Sequence, residues 1–269
     1  MIATTKRGLI AGFCAVLGMS ALALPSYADA LDDILANKKI RIAVDLALPP
    51  YGMIDEKMKP TGSDVLVAEK IAKDFGVELE IVPTTAASRI PSLQTNKADL
   101  VISTLSITPE RAEVIDFSPP YAPLRTVLAG SKNVQADSFD DLAGKDIGTS
   151  RGTMHDAYIT KMATGANIKR YEDDATMVQA YSAGQVEFFT AAENLLKSIG
   201  EKNPNNPPET KIVMETFRLA IGVKKGETAL LDKVSDWVRT NLANGELNTI
   251  FKEFHGIDLP PEITEASAE

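Results

Sequence analysis

From residue 31 onward the chain alternates between two hydrophobic periods. Residues 64–75 carry Val65, Ala68, Ile71, Ala72 and Phe75 at helical spacing, with Gly76 placed as a stop. Residues 77–82 then alternate as a strand does. On either side the same reading predicts a short helix over 31–36, a strand over 41–44, a helix over 88–95 and a strand over 100–104. A capped helix over 109–114 and a strand over 126–130 follow. The loop 48–52 contains Pro49-Pro50 and cannot continue a strand.

The rhythm then restarts. Strands are predicted over 146–150, 168–171 and 187–191, and helices over 154–163, 175–183 (stopped by Gly184) and 193–199. The segment 203–208, rich in Asn and Pro, is an exposed loop. Two strands, 211–214 and 218–223, and two closing helices, 229–242 and 247–254, complete the pattern, and no short-period repeat is present. Strands alternating with helices mean α/β units built on parallel strands, here two of them. Ligand crevices in such units lie beyond the carboxyl ends of the strands, which is where the loops at Ser103 and Ser150 fall.

The first residues follow a different logic. Lys6-Arg7 precedes an apolar stretch over 8–24 and then Ser26-Tyr27-Ala28, the layout of a secretory signal cut after Ala28. A membrane anchor is the other reading, and the stretch is near the lower length limit for one. Phe13 before Cys14 argues against a lipoprotein, and Cys14, the single cysteine, leaves with the signal, so no disulfide is expected. The mature chain from Asp29 suffices for two modest domains. The net charge is −9, or −11 once Lys6 and Arg7 are gone, and basic clusters are lacking. That balance argues against nucleic acid or an anionic membrane as partner. Residues 264–269 read as a disordered tail.

The richest chemistry sits in Ser103-Thr104-Leu105-Ser106-Ile107-Thr108-Pro109-Glu110-Arg111. Thr108 at an N-cap, Pro109 at the first helical position and Glu110 in the first turn form a clear helix start. A strand ending in hydroxyls and running into a helix N-terminus makes an anion site, and Arg111 adds a planar charge suited to a carboxylate. The spacing fits equally well an ordinary capped helix whose Arg111 pairs with Glu113 or Asp116.

The segment from Ser103 to Ser118 resembles the signature of the family 3 solute-binding proteins, the periplasmic polar amino-acid receptors of ABC importers. Other matching pieces are the strand from Ile40 to Asp45, Gly62-Ser63-Asp64, Arg89-Ile90-Pro91-Ser92-Leu93 before Ala98-Asp99, and Gly152-Thr153. Ala183-Gly184-Gln185-Val186-Glu187 and the run from Phe251 to Gly256 also match. The resemblance implies a two-lobe periplasmic binding protein type II fold, an α/β architecture in which each lobe is a mixed sheet flanked by helices. Lobe 1 would comprise 29–124 plus 221–269 and lobe 2 would comprise 125–220, joined by two hinge strands near 123–126 and 219–222. It further implies a monomer in the periplasm that binds a carboxylate-bearing amino acid or derivative between its lobes. The loaded protein would dock on a permease in the inner membrane, with no cofactor, no catalysis and no nucleic acid.

By the same likeness, Arg111 holds the α-carboxylate with Ser106 and backbone groups at Ser103 and Thr104. Thr153, after Gly152, offers an N–H and its hydroxyl from the other lobe, and Asp45 meets the ligand or caps a nearby backbone group. The chain departs from the family pattern at Leu48 and Ala86, where aromatic or larger walls are usual, and at Met154, where a small hydroxyl is usual. The acid that ordinarily binds the ammonium group is replaced by Ala192, which leaves Glu193, one residue on, as the candidate. Arg151 and His155 flank the second-lobe helix start and are expected in solvent rather than on a distal acidic group of the ligand. Two rival readings exist. A periplasmic enzyme of the same fold, such as a cyclohexadienyl dehydratase, is the alternative function. Gly148-Thr149-Ser150-Arg151-Gly152 fits the hydrolase nucleophile pattern, but His155 and His255 are poorly placed for a triad. Two histidines and no remaining cysteine give no metal motif.

Overall fold

The computed structural model describes Met1 and residues 29–265; the expected signal segment with Cys14 and the last four residues lie outside the described residues. Twelve strands are assigned among the described residues: β1 Lys39–Val44, β2 Met53–Ile54, β3 Pro60–Thr61, β4 Glu78–Pro83, β5 Leu100–Val101, β6 Ile115–Phe117, β7 Ala122–Ser131, β8 Asp146–Ser150, β9 Asn167–Tyr171, β10 Phe188–Ala192, β11 Pro208–Leu219 and β12 Gly222–Lys224. They form two five-stranded sheets, ordered β4-β1-β5-β12-β6 and β11-β7-β10-β8-β9, and the hairpin β2-β3. Both large sheets are mixed. In the first, β1 runs parallel to β4 and β5 while β12 is antiparallel to both its neighbours. In the second, β8 runs parallel to β9 and β10 while β7 is antiparallel to β10 and β11.

The first sheet is covered by the helix Ser63–Phe75, whose Val65, Ala68, Ile71 and Ala72 are buried against Ile40, Ile42 and Val44 of β1. Gly76 ends that helix in the left-handed conformation, φ 67°, as its position in the sequence predicts. The helices Thr228–Ala243 and Glu246–His255 close the same side, and Trp237 donates to Asp74 Oδ2 at 2.8 Å. Leu128, Leu142, Ile147, Ile159 and Phe188 form a separate apolar cluster within the second sheet's body. The chain passes between the sheets twice, and the two passages are paired: Tyr121 N–H donates to the Leu219 carbonyl and Ser118 N–H to that of Ile221.

Several expected elements differ. The strand beginning at Leu100 stops at Val101 rather than Thr104, because the chain turns sharply and Thr104 takes φ 45°. The capped helix is the single turn Pro109–Ala112, since the chain then extends as β6, a strand that the apolar pattern missed. Residues 211–214 and 218–219 belong to one long strand, β11, whose register against β7 shifts twice. Those irregularities break the simple alternation that divides it in the sequence. β12 then begins afresh at Gly222. Thr264, where the tail was expected to begin, ends a short helix, Pro261–Thr264.

Candidate functional site

The carboxyl ends of β1, β4, β5, β8, β9 and β10 point toward one narrow cleft between the two sheets. Its walls include Asp45, Leu48, Ala86, Arg89, Thr104 and Ser106 from the first body. Thr153, Met154, His155, Asp174 and Ala192 face them from the second. This is the crevice expected of strands whose loops all leave on the same side.

On the first side, the turn after β5 is held from two directions. The buried Arg89 donates from Nη1 to the Ser103 carbonyl at 2.6 Å and to the Thr104 carbonyl at 3.3 Å. Asp64, also buried, accepts from Thr104 N–H at 2.9 Å and from the Tyr121 hydroxyl at 2.8 Å. Burial pushes the Asp64 carboxyl up to about 6, and lowers the Arg89 guanidinium to about 10. The backbone groups of Ser103 and Thr104 expected to meet a ligand are thus partly committed: the Thr104 amide to Asp64 and both carbonyls to Arg89. What the turn offers instead is hydroxyls. Ser103 Oγ and Ser106 Oγ are buried without a hydrogen-bond partner, and Ser106 lines the cleft.

Arg111 sits at the rim. Thr108 caps its helix by accepting from the Arg111 amide, as the sequence predicts. The guanidinium donates to the Ser106 carbonyl at 2.9 Å and, across the cleft, to the Gly152 carbonyl at 3.1 Å. Burial, with Arg89 nearby, lowers it to about 9. It pairs with neither Glu113 nor Asp116; Asp116 bonds Lys225 at 2.7 Å.

On the second side, Gly152 has φ 77° and packs so closely that a Cβ there would meet Ala87 Cα at 3.0 Å. Only glycine allows both that conformation and that approach. Thr153 caps the helix Met154–Met162 by accepting from Asp156 N–H at 3.1 Å, and its hydroxyl donates to the Ser150 carbonyl at 2.7 Å. Its hydroxyl is therefore already engaged, contrary to expectation. His155 is the larger correction: it is 5% exposed, lines the cleft, and neither ring nitrogen has a hydrogen-bond partner. Arg151 does face solvent, 3.9 Å from Glu172.

The acidic side of the cleft is made by Asp45 and Asp174. Asp45 Oδ1 accepts from Ala47 N–H at 2.9 Å, the local cap that its loop position allowed, and burial raises its pKa. Asp174 opens the helix Asp174–Ser182, accepts from the Ser150 hydroxyl at 2.8 Å, and is pushed up to about 6 by burial. The Ser150 hydroxyl thus faces a carboxylate and no imidazole. His255 bonds elsewhere, to Asn194 and Ser63. Glu193 does not line the cleft. Ala192, the last residue of β10, takes that wall, and Glu193 lies in an outer groove, 3.3 Å from Arg125. A step of one residue at a strand end turns the side chain to the opposite side.

Arg89, Leu124, His155 and Asp174 are the cleft residues that sequence reasoning missed or misplaced. A charged residue opening an otherwise apolar helical segment was the available signal for Arg89, and paired acids at a strand-to-helix turn were the signal for Asp174. Among the described residues no cluster of three or more metal-ligating side chains occurs, and no helix is long and apolar enough to cross a membrane.

Comparison with known proteins agrees with this geometry. The family model described as "Bacterial extracellular solute-binding proteins, family 3" matches residues 40–257. The L-cystine-binding protein TcyJ of Escherichia coli (strain K12) is 24% identical over 262 residues, 96% of this chain and 98% of its own length. The L-arginine-binding protein of Pseudomonas aeruginosa is 26% identical over 254 residues, covering 90% of this chain and 95% of that protein. Among solved structures, a solute receptor for L-cysteine of Neisseria gonorrhoeae superposes with a TM-score of 0.79 at 28% identity, covering 83% of this chain and 92% of the receptor.

Proposed function

Because the chain belongs to the bacterial extracellular solute-binding proteins of family 3, we propose that it captures an amino acid or related carboxylate-bearing solute for an ABC importer. The observation that carries this reading concerns unsatisfied polar groups. Five buried side-chain polar atoms among the described residues have no partner: Arg89 Nε, Ser103 Oγ, Ser106 Oγ and both His155 ring nitrogens. All but Ser103 Oγ belong to residues that line the one cleft. Buried polar groups are otherwise almost always paired, so their concentration here marks where a polar ligand supplies the partners.

The charges divide to suit a zwitterion. Arg89 and Arg111, with the Ser106 hydroxyl, form a cationic side for a carboxylate. Asp45 and Asp174 form an anionic side for an ammonium group, and they take the place of the acid absent at Ala192. Leu48, Ala86 and Met154 supply the apolar walls. The bodies 29–124 plus 221–269 and 125–220 act as lobes that close about the paired passages near residues 118–122 and 219–222. Each chain holds a complete cleft and works as a monomer, released to the periplasm by cleavage after Ala28 and read by an inner-membrane permease.

Thermal unfolding of the mature protein against a panel of L-amino acids and related carboxylate-bearing solutes tests this reading. A ligand at about a hundred times its dissociation constant adds about 2.7 kcal/mol, a shift that a melt resolves. No stabilisation by any amino acid or related carboxylate-bearing solute would reject it.

A further inference from the structure

His155 lies in the first turn of the helix Met154–Met162, buried, facing the cleft, with both ring nitrogens unpartnered. A histidine buried for structural reasons is normally fixed by a carbonyl or carboxylate at one nitrogen. Here no described residue does so. Leaving polar atoms buried and unbonded is destabilising, so this side chain works against the fold unless something entering the cleft completes it.

The surroundings limit what that can be. Burial first, and then the positive charges of Arg89 and Arg111, lower the ring's pKa to about 3, so the imidazole is neutral. A neutral ring presents one N–H donor and one lone pair. It cannot serve as a counter-charge, and the two guanidinium groups make its side of the cleft hostile to a cationic side chain. The acids, Asp45 and Asp174, remain for the ammonium group.

We propose that His155 is a specificity-determining residue that reads an uncharged hydrogen-bonding group, such as an amide, thiol or hydroxyl, on the side chain of the bound amino acid. This rests on the amino-acid reading above. The apolar residues of the cleft lining, Leu48, Ala86, Leu124, Met154 and Ala192, offer a ligand no side-chain hydrogen bond, so His155 supplies the discrimination that they cannot. A site built to hydrogen-bond a substrate group rejects the analogue that lacks it far more strongly than an apolar wall rejects a change of size.

Calorimetric titration of the mature protein with two matched pairs tests the assignment: L-cysteine against L-2-aminobutyrate, and L-glutamine against L-norleucine, with L-arginine as the cationic probe. Wild type should prefer the polar member of at least one pair by about tenfold or more. His155→Leu should bring that ratio within about threefold through loss of the polar ligand alone, while His155→Gln keeps most of it. Should the Leu variant not fold, His155→Met replaces it. An unchanged ratio in the apolar variant, or equal weakening of both members in the apolar and Gln variants alike, would overturn the proposal. Wild type binding L-arginine alone would overturn it too, while leaving amino-acid capture intact. Wild type binding none of the five would overturn the assignment of His155 to an amide, thiol or hydroxyl, while the thermal-unfolding panel decides amino-acid capture separately.

Discussion

Asn194 Nδ2 donates to His255 Nδ1 over 2.8 Å, tying the turn after β10 to the end of the helix Glu246–His255. The ring is held for this bond: it lies 3.1 Å from Ser63 Oγ through Nε2 and stacks on Phe251 with centroids 4.1 Å apart. Burial lowers its pKa to about 4, so the ring is neutral and Nδ1 is free to accept. With the Arg111 bond to the Gly152 carbonyl, this makes a second polar tie between the two bodies, on the outer side of the cleft.

If the tie favours the closed arrangement, Asn194→Ala should lower apparent affinity without touching the ligand. Asn194 also bonds the Tyr51 hydroxyl, and loss of each neutral hydrogen bond is worth about 1 kcal/mol, so dissociation should quicken by roughly fivefold or more. Stopped-flow dissociation, with small-angle scattering of the unliganded protein, would check it. Unchanged dissociation would mean the bond contributes nothing to closure.

Arg111→Ala should weaken binding by about 3 kcal/mol or more, because it leaves a ligand carboxylate desolvated and half-partnered. Arg89→Ala, by contrast, should also lower the melting temperature, since Arg89 holds the Ser103–Thr104 turn through its carbonyls. Titration calorimetry of Arg111→Ala within threefold of wild type would reject the anchor assignment.

What could be read in advance depended on how local its cause was. The cap at Thr108 and the stop at Gly76 arise from a few adjacent residues, and both were visible as sequence patterns. The burial of His155 and Arg89 was not, because it comes from the two bodies meeting, and no local pattern encodes that. The choice between Ala192 and Glu193 turned on which side of β10 faces the cleft, a one-residue question that homologous spacing could not resolve. Asp174 entered the site for the same reason that Arg89 did: the fold brought it to a wall from a distant stretch of chain.

Gly152→Ala should damage function more than stability. The left-handed backbone there, φ 77°, costs a residue with a side chain about 1–2 kcal/mol, a modest drop in melting temperature. The new methyl would also press on Ala87 Cα at 3.0 Å and hold the two sides of the cleft apart. Affinity should fall by about tenfold or more, because every ligand contact spanning the cleft is lengthened. Titration beside a thermal melt separates the two effects, and equal losses in both would show that the contact matters only to folding.

The pH dependence of stability offers a test of Asp64 that does not involve the ligand. Its folded-state pKa is about 6 against an ordinary value of 3.8, with burial as the main cause, so the folded protein binds this proton more tightly than the unfolded chain does. Stability from this group is therefore fully present below about pH 4 and is lost as pH rises toward 6, with a slope of at most about 1.4 kcal/mol per pH unit. The buried His155 and the half-buried His255, whose pKa values are lowered, act in the opposite sense over much of the same range. The variant must accordingly be compared with wild type at each pH, so that their contribution cancels. In Asp64→Asn the carboxyl titration is gone, while the amide can still accept from Thr104 N–H and donate to the Tyr121 oxygen. Urea titrations from pH 4 to 7 should show the variant gaining on wild type as pH rises. A constant difference across that range would mean that Asp64 ionises at its ordinary pKa, and that the turn carrying Ser103 and Thr104 rests on an unstrained carboxylate.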